Sequence, residues 1–279
     1  MSDYFCLPQD LFVEILVRVP IQDLVKSTVV CKSWNSFIKN PTFISTHLGK
    51  TFSSTKTNLV FFSLCTLEKP SYPLRFDNKD VDEYKQLHFP RKKFRSIGTG
   101  CSCVVGTCNG LVCLIIDDSC DRNFKYILWN PVIRKAIRLP DSSVRVCRYG
   151  LPFNGFGFDS KTNDYKLLRL VDELDDNSVG AQVYSLNTNC WTSIAFFHEP
   201  YYYGKYSFVN GAIHLLARDR KGGRRRNLIL AFVVSEQVFS EIPLPHHLSN
   251  ASFPRAELQL LKYRQSSIVI MTREYWGLA

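Results

Sequence analysis

Three segments of this sequence repeat one arrangement of apolar, aromatic and turn residues. They read LWNPVIRKAIRL (128–139), VYSLNTNCWTSI (183–194) and AFVVSEQVFSEI (231–242), and they start 55 and 48 residues apart. Alignment of the copies places three aromatic residues in one row, namely Trp129, Tyr184 and Phe232. Each copy predicts a strand, a polar turn and a second strand. A repeat of this length with several strands per unit restricts the fold to stacked β-units, as in propeller blades.

The region from about residue 57 onward is predicted to be β throughout. Ten short runs rich in β-branched or aromatic residues are separated by turn signals, and no convincing window has a helical period. Asn-Gly pairs at 109, 154 and 210 precede the three copies and predict three equivalent turns. A single unit cannot bury both faces of its sheet, so neighbouring units must stack and bury Trp129 and Trp191. At about 50 residues per unit, we expect between four and five units.

The first 48 residues are predicted to form a compact module of three helices. Apolar residues recur on one stripe of the first helix: Leu11, Phe12, Ile15, Leu16 and Val19. Pro20 ends this helix, a second helix covers 21–27, and a third runs from about residue 29 until Pro41 stops it. So small a module has two apolar faces and only one can pack inward, so the other is a candidate docking surface. Residues 49–56 are interpreted as a linker to the β domain, 57–279.

The positive charge belongs to the β domain. The chain carries a formal charge of +10, whereas the first 50 residues hold five basic and four acidic side chains, a net of +1. Basic clusters at 91–95 and 218–226 would attract acidic partners, and they would also suit nucleic-acid phosphates. Solvated loops are the favoured interpretation of both clusters.

No leader or membrane segment is evident, and this predicts a protein of the cytoplasm or the nucleus with reduced cysteines. Five cysteines fall between 101 and 120, but no Cys-x-x-Cys pair occurs, so buried strand thiols are favoured over a zinc site. The sequence has no Gly-x-Ser-x-Gly motif and no dinucleotide-binding loop. We therefore expect no enzyme activity, no metal and no cofactor.

The opening stretch resembles an F-box from Leu7 through Phe43, matching the pattern LPxDLxxEILxRxPxxxLxxxxxVCKSWxxxIxxPxF. This resemblance implies a helical module that binds the Skp-type adaptor of SCF ubiquitin ligases, and through it the cullin. Carried over position by position, it implies these adaptor-facing residues: Leu7, Pro8, Leu11, Ile15, Leu16, Pro20, Leu24, Val30, Cys31 and Trp34.

The remainder resembles the F-box-associated region of plant F-box proteins of the kelch-like and S-locus F-box-like group. CNGLVCL, LWNPVIRKAIRLP, GFGFDSKTNDYKLLRL and VNGAIHLLA are close to the group's pattern, although His214-Leu215 stands where the group has His-Trp. The expected fold class is α+β multidomain, a three-helix F-box followed by an all-β, propeller-like and incomplete repeat domain that is truncated at its C-terminus. The resemblance implies a subunit that presents an unknown protein substrate to the ligase. Two alternatives stay open: a basic nucleic-acid-binding β-protein, which is disfavoured, and an adaptor-binding scaffold without substrate.

Overall fold

The computed structural model describes two groups of elements, helices near the N-terminus and strands after them. The described residues are 8–54, 59–61, 64–65, 70–76, 79–90, 94, 102–118, 123–144, 153–172, 178–198, 201–221, 224–250, 256–263 and 267–274. The N-terminal helices are α1 (Gln9–Arg18), α2 (Ile21–Ser27), α3 (Lys32–Ile38) and α4 (Pro41–Ser54). No helix within the described ranges is long and apolar enough to cross a membrane.

The helical module has its own apolar core, to which all four helices contribute. Its buried residues are Phe12, Leu16, Val17, Leu24, Ile38 and Phe43. The ring of Phe12 lies 5.2 Å from that of Trp34 and 5.4 Å from that of Phe37, centroid to centroid. His47 on α4 is hydrogen-bonded through Nε2 to the carbonyl of Val19 at 3.0 Å, which fixes α4 against the end of α1.

The three predicted helices are present, but the prediction missed a fourth, because Pro41 begins a helix of its own after α3 has ended. The side chain of Asn40 accepts a hydrogen bond from the Thr42 amide at 2.8 Å, and the Asn40 carbonyl accepts one from the Ile44 amide. Proline at the first helical position loses no hydrogen bond, since its missing N–H would have had no intrahelical partner. Residues 49–54 of the expected linker are therefore helical.

Within the described residues, the strands form four four-stranded antiparallel sheets and one hairpin. Sheet 1 has β3 (Pro70–Phe76) paired with β1 (Leu59–Phe61), β2 (Leu64–Cys65) and β4 (Glu83–Leu87). Sheet 2 contains β5 (Ser102–Cys108), β6 (Leu111–Asp118), β7 (Asn123–Asn130) and β8 (Lys135–Arg138). Sheet 3 contains β9 (Phe153–Asp159), β10 (Asp164–Asp172), β11 (Ser178–Ser185) and β12 (Cys190–His198). Sheet 4 contains β13 (Tyr201–Val209), β14 (Ala212–Lys221), β15 (Arg224–Val233) and β16 (Val238–Pro243). A short helix, α5 (His246–Ser249), precedes sheet 5, the hairpin of β17 (Ala256–Tyr263) and β18 (Ser267–Glu274).

Consecutive sheets pack face to face, and alternate residues of one strand pack against the sheets on its two sides. On β6, Leu114 packs toward sheet 1, whereas Cys113 and Ile115 pack toward sheet 3. On β10, Leu167 packs toward sheet 2, and Leu168 packs toward sheet 4. Because successive side chains of a strand point to opposite faces, a sheet covered on both sides needs apolar residues at both phases of the period. The first strands of sheets 2 to 5 also contact each other in turn, which is the propeller-like arrangement that the repeat predicted.

The three repeat copies form equivalent outer hairpins, β7–β8, β11–β12 and β15–β16, as predicted. The aligned rows are direct cross-strand partners: Trp129 with Ala136, Tyr184 with Trp191, and Phe232 with Phe239. Each hairpin turn has a positive φ at the same repeat position, occupied by Arg134, Asn189 and Gln237. Trp129 is buried as expected, whereas Trp191 is only partly buried.

Two of the three predicted Asn-Gly turns are present. Asn109-Gly110 and Asn210-Gly211 link the first two strands of sheets 2 and 4, with positive φ at both residues, as a two-residue hairpin turn requires. The third prediction was wrong, because Asn154-Gly155 lies inside β9. A Cβ at Gly155 would lie 2.6 Å from Cγ2 of Ile213, so glycine is needed there for close contact between sheets 3 and 4.

Candidate functional site

The helical module exposes apolar side chains although its core is already filled. Leu11 and Ile15 are 48% and 50% exposed and lie one turn apart on the same side of α1. Val29 and Val30, in the turn between α2 and α3, are 86% and 64% exposed. We call Leu11, Ile15, Val29 and Val30 the helical apolar surface. Exposed aliphatic residues on so small a module are candidates for a binding surface.

The structure divides the residues that the F-box resemblance assigned to the adaptor. Those exposed to solvent are Pro8, Leu11, Ile15, Pro20, Val30 and Cys31. Leu16 and Leu24 are 4% and 1% exposed and belong to the core of the module, so their assignment to the surface is revised. Leu7 lies outside the described residues. The resemblance did not assign Val29, and apolar character just beyond a predicted helix end is the signal that could have identified it.

Two assigned residues have structural roles as well. Trp34 is partly buried and meets the ring of Phe12 edge to face, so it contributes to the core of the module. Cys31 precedes α3, and its Sγ accepts the Trp34 amide hydrogen at 3.5 Å, which is the capping position of that helix. A substitution at either residue would therefore perturb the module and any binding surface together.

Arg218 and Arg226, the two basic residues of 218–226 whose side chains the structure describes, are engaged within sheet 4. Arg226 donates to Asp219 at 2.7 Å and to Glu241 at 2.8 Å, and these two carboxylates raise the pKa of its guanidinium. Arg218 donates through Nε to the Asn227 side chain at 2.9 Å. Such pairing reduces the charge available to a nucleic-acid phosphate. The other predicted cluster, 91–95, falls outside the described side chains except Phe94.

The aromatic run 201–206 contributes at least one residue to the interior of the β domain. The Tyr206 hydroxyl donates to the Phe156 carbonyl at 3.2 Å and lies directly over Gly106, and its burial raises the pKa of the phenol. Because this ring packs between sheets, it is not part of an open stacking platform for bases.

The cysteine prediction is confirmed at one position and wrong at another. Cys113 is fully buried in β6, and burial raises the pKa of its thiol. Cys108 is partly buried, but Cys103 is exposed. Among the described residues, no group of three or more His, Cys, Asp or Glu side chains is placed to hold a metal ion.

Together, these features define a class of two-part binding proteins, with a small helical module that has an exposed apolar surface and a larger propeller-like stack of sheets. Comparison with known families agrees with this division. Residues 99–276 match the F-box associated beta propeller domain, and residues 5–46 match the F-box domain. The chain therefore belongs to the family of F-box proteins with an F-box associated beta propeller domain.

Curated relatives from Arabidopsis thaliana are named as F-box proteins. Putative F-box protein At3g16210 is 28% identical over 242 residues, which cover 86% of this chain and 61% of the relative. F-box/kelch-repeat protein At3g23880 is 27% identical over 254 residues, covering 86% of this chain and 65% of the relative. The chain thus spans less than two thirds of the length of these two relatives. F-box protein At3g07870 is 28% identical over 97% of this chain and 71% of its own length.

A solved structure of TolB from Acinetobacter baumannii is similar at a TM-score of 0.34 and 9% identity, covering 85% of this chain and 59% of that chain. This similarity is too low to inform either fold or function.

Proposed function

We propose that this chain is the substrate-recognition subunit of an SCF-type E3 ubiquitin ligase, acting in the cytoplasm or the nucleus. Its F-box, residues 1–48, would bind a Skp-type adaptor, and its β domain would hold a target protein. Family membership supports this role, and the helical apolar surface is the observation that carries it. No step of this role requires chemistry in the chain, because holding the target near the ubiquitin-charged enzyme raises its effective concentration.

The proposed docking residues are those of the helical apolar surface, together with Pro8 and Pro20 beside them in sequence. Full burial of an exposed aliphatic side chain contributes about 1.5–3 kcal/mol. Leu11 and Ile15 are each half exposed, so covering both contributes about 1.5–3 kcal/mol in total. A charge at either position would be buried without a partner in the complex, and this raises the cost further.

The Leu11→Asp/Ile15→Asp double variant of the full chain tests this proposal. We expect its affinity for a purified Skp-type adaptor, measured by calorimetry, to fall at least about 30-fold, equivalent to 2 kcal/mol. Both side chains are half exposed and lie outside the buried core, so the module should stay folded.

Ile44→Asp is the matched control, because Ile44 is an exposed aliphatic residue on α4, at 42% exposure, that the proposal does not use. Its affinity should stay within about threefold of wild type. Equal losses in the double variant and in Ile44→Asp would place the docking surface elsewhere on the module. Absence of binding by the wild-type chain at micromolar concentrations would overturn the F-box role altogether.

Substrate recognition by the β domain is tested by affinity purification with the proteasome blocked. Wild type and Leu11→Asp/Ile15→Asp are compared in parallel. Proteins captured by both forms, but ubiquitinated only with wild type, would be substrates. Recovery of adaptor and cullin alone would support the scaffold alternative. Loss of the co-purified proteins on nuclease treatment would support the nucleic-acid alternative.

A further inference from the structure

Strand β10 buries two cationic side chains that point to opposite neighbouring sheets. Lys166 faces sheet 4: its Nζ donates to the Val234 carbonyl, just after β15, at 3.2 Å, and to the Asp159 carboxylate at the end of β9 at 2.8 Å. Arg169 has the opposite phase and faces sheet 2, where its Nη2 donates to the Val144 carbonyl. The two residues are 5% and 3% exposed. Lys166 thus has a buried carboxylate partner, and it serves as the reference for Arg169.

Arg169 lacks such a partner within the described part of the chain. The ion pairs found there do not include it, and its buried Nε has no hydrogen-bond acceptor. The bond to the Val144 carbonyl is long, at 3.3 Å. The Trp191 ring, with its centroid 5.9 Å from Cζ, offers a cation–π contact. Neither contact replaces a carboxylate, because a buried cation is costly unless an anion with good hydrogen-bond geometry accompanies it.

The repeat shows what the same position contains in the other sheets. Aligning the hairpins through Trp129, Tyr184 and Phe232 makes Ile127, Gln182 and Leu230 equivalent. Their cross-strand partners are Leu114 in sheet 2, Arg169 in sheet 3 and Leu215 in sheet 4. Leu114 and Leu215 are fully buried. Sheet 3 therefore has an Arg–Gln pair where sheets 2 and 4 have purely aliphatic pairs, although the fold accommodates leucine there.

The side chains around Arg169 are also polar, as is its cross-strand partner Gln182. Its two cross-strand partners are Asn154 and Gln182. The Tyr126 hydroxyl donates to the Asn154 side chain at 2.7 Å, and the Ser142 hydroxyl donates to the Gln182 side chain at 2.8 Å. These groups hold the two amides in place on either side of the guanidinium. Arg169 is thus flanked on both neighbouring strands by polar side chains held in hydrogen bonds.

We propose that Arg169 is the anchor of an oxyanion-binding subsite between sheets 2 and 3, which takes a phosphate or carboxylate group. The planar guanidinium suits such groups because two of its N–H donors match two of their oxygens. The bound oxyanion would supply the acceptor that Nε lacks. If the function proposed above holds, the bound target carries this group; anion binding itself does not depend on the adaptor.

Thermal unfolding of the full chain, without adaptor, tests the subsite. Sodium phosphate, sodium acetate and sodium chloride are compared at matched ionic strength, because phosphate also stabilises folded proteins generally. We expect phosphate or acetate to raise the Tm of wild type by at least about 2 °C more than that of Arg169→Leu. A difference with phosphate alone identifies a phosphate site, and one with acetate identifies a carboxylate site.

The matched control is Lys166→Met, which removes the other buried cation of β10. In chloride, its Tm should fall because Asp159 loses its partner, whereas Arg169→Leu should be as stable as wild type or more so. The anion-dependent shift should persist in Lys166→Met. Arg169→Lys keeps the charge but loses the planar pair of donors, and its shift should be smaller than that of wild type.

Equal anion shifts in wild type, Arg169→Leu and Arg169→Lys would overturn the proposal, as would the absence of any shift beyond that in chloride. Failure of Arg169→Leu to fold would contradict the subsite too, since it would show that Arg169 is structural. None of these results depends on whether the F-box binds its adaptor, so failure here is distinguishable from failure of the proposed function.

Discussion

Replacing Gly155 with alanine is a direct test of the contact between sheets 3 and 4. Gly155 lies in the middle of β9, and a Cβ there would be 2.6 Å from Cγ2 and 3.2 Å from Cδ1 of Ile213 on β14. Ordinary contact begins at about 3.4 Å, so Ile213 or the strand must move by nearly 1 Å. Ile213 is fully buried in the core between the two sheets, which leaves little room for this shift.

The expected magnitude follows from two opposing effects. Overpacking of a well-packed core costs about 1–3 kcal/mol. Alanine also restricts the conformations of the unfolded chain relative to glycine, and this offsets about 0.4–1 kcal/mol of the overpacking cost. We therefore expect Gly155→Ala to lower the free energy of unfolding by about 0.5–2.5 kcal/mol. Ile213→Ala alone should cost about 2–5 kcal/mol, because it leaves a cavity.

The two substitutions should be strongly coupled. With Ile213 truncated, the alanine at position 155 meets no obstacle and fills part of the cavity. The double variant should then be no less stable than Ile213→Ala, which corresponds to a coupling of about 1–3 kcal/mol in a urea-unfolding cycle. Additive losses would refute the packing of sheet 3 on sheet 4. If Ile213→Ala is too unstable to measure, Gly157 and Phe208 offer a second pair, with 2.6 Å between the added Cβ and the ring.

Two further predictions concern other parts of the chain. Burial alone would raise the pKa of Asp159, but hydrogen bonds from Lys166, Thr162 and the Lys161 amide lower it from 3.8 to about 2. The ionised carboxylate therefore contributes about 2 kcal/mol to the free energy of unfolding. This contribution is complete above pH 3.8 and is lost as the pH falls through 2. The free energy of unfolding, measured as a function of pH in acid, should show this loss in wild type and not in Asp159→Asn. Gly49 lies in the exposed middle of α4, where an added Cβ meets nothing within 4 Å. Gly49→Ala should therefore stabilise the helical module by about 0.5–1 kcal/mol. Unchanged or reduced thermal stability would contradict an α4 that continues past residue 48.

Much of the β domain was predictable because its strands and its turns have different and recognisable residue compositions. Short runs rich in β-branched and aromatic residues indicated the strands, and polar turns that recur about every 50 residues indicated the hairpins. Asn154-Gly155 was misassigned because the same dipeptide serves two physical needs, a positive φ in a turn and the absence of a Cβ at a close contact. Only the partner strand, with Ile213, separates these cases.

The helical module was less predictable at the level of its surface. A helical period identifies which residues are apolar, but it does not say which of two adjacent apolar faces the core uses. Leu11 and Leu16 thus look alike in sequence, whereas the packing of Phe12 against Trp34 and Phe37 places only Leu16 in the core. Pro41 was misassigned for a related reason, since proline both ends and begins helices, and only the Asn40 cap decides.

The two proposed sites should be separable, and this follows from where their residues lie. The helical apolar surface belongs to α1 and to the turn before α3, whereas every contact named around Arg169 comes from sheets 2 and 3 or from Ser142 and Val144, which follow β8. Sites that share no partner residues contribute independently to free energies within a few tenths of a kcal/mol. Leu11→Asp/Ile15→Asp should therefore weaken adaptor binding and leave the anion-dependent Tm shift unchanged, whereas Arg169→Leu should remove that shift and leave adaptor binding unchanged. Loss of both properties in either variant would mean that the affected substitution unfolds the chain or that the helical module and the third sheet depend on each other.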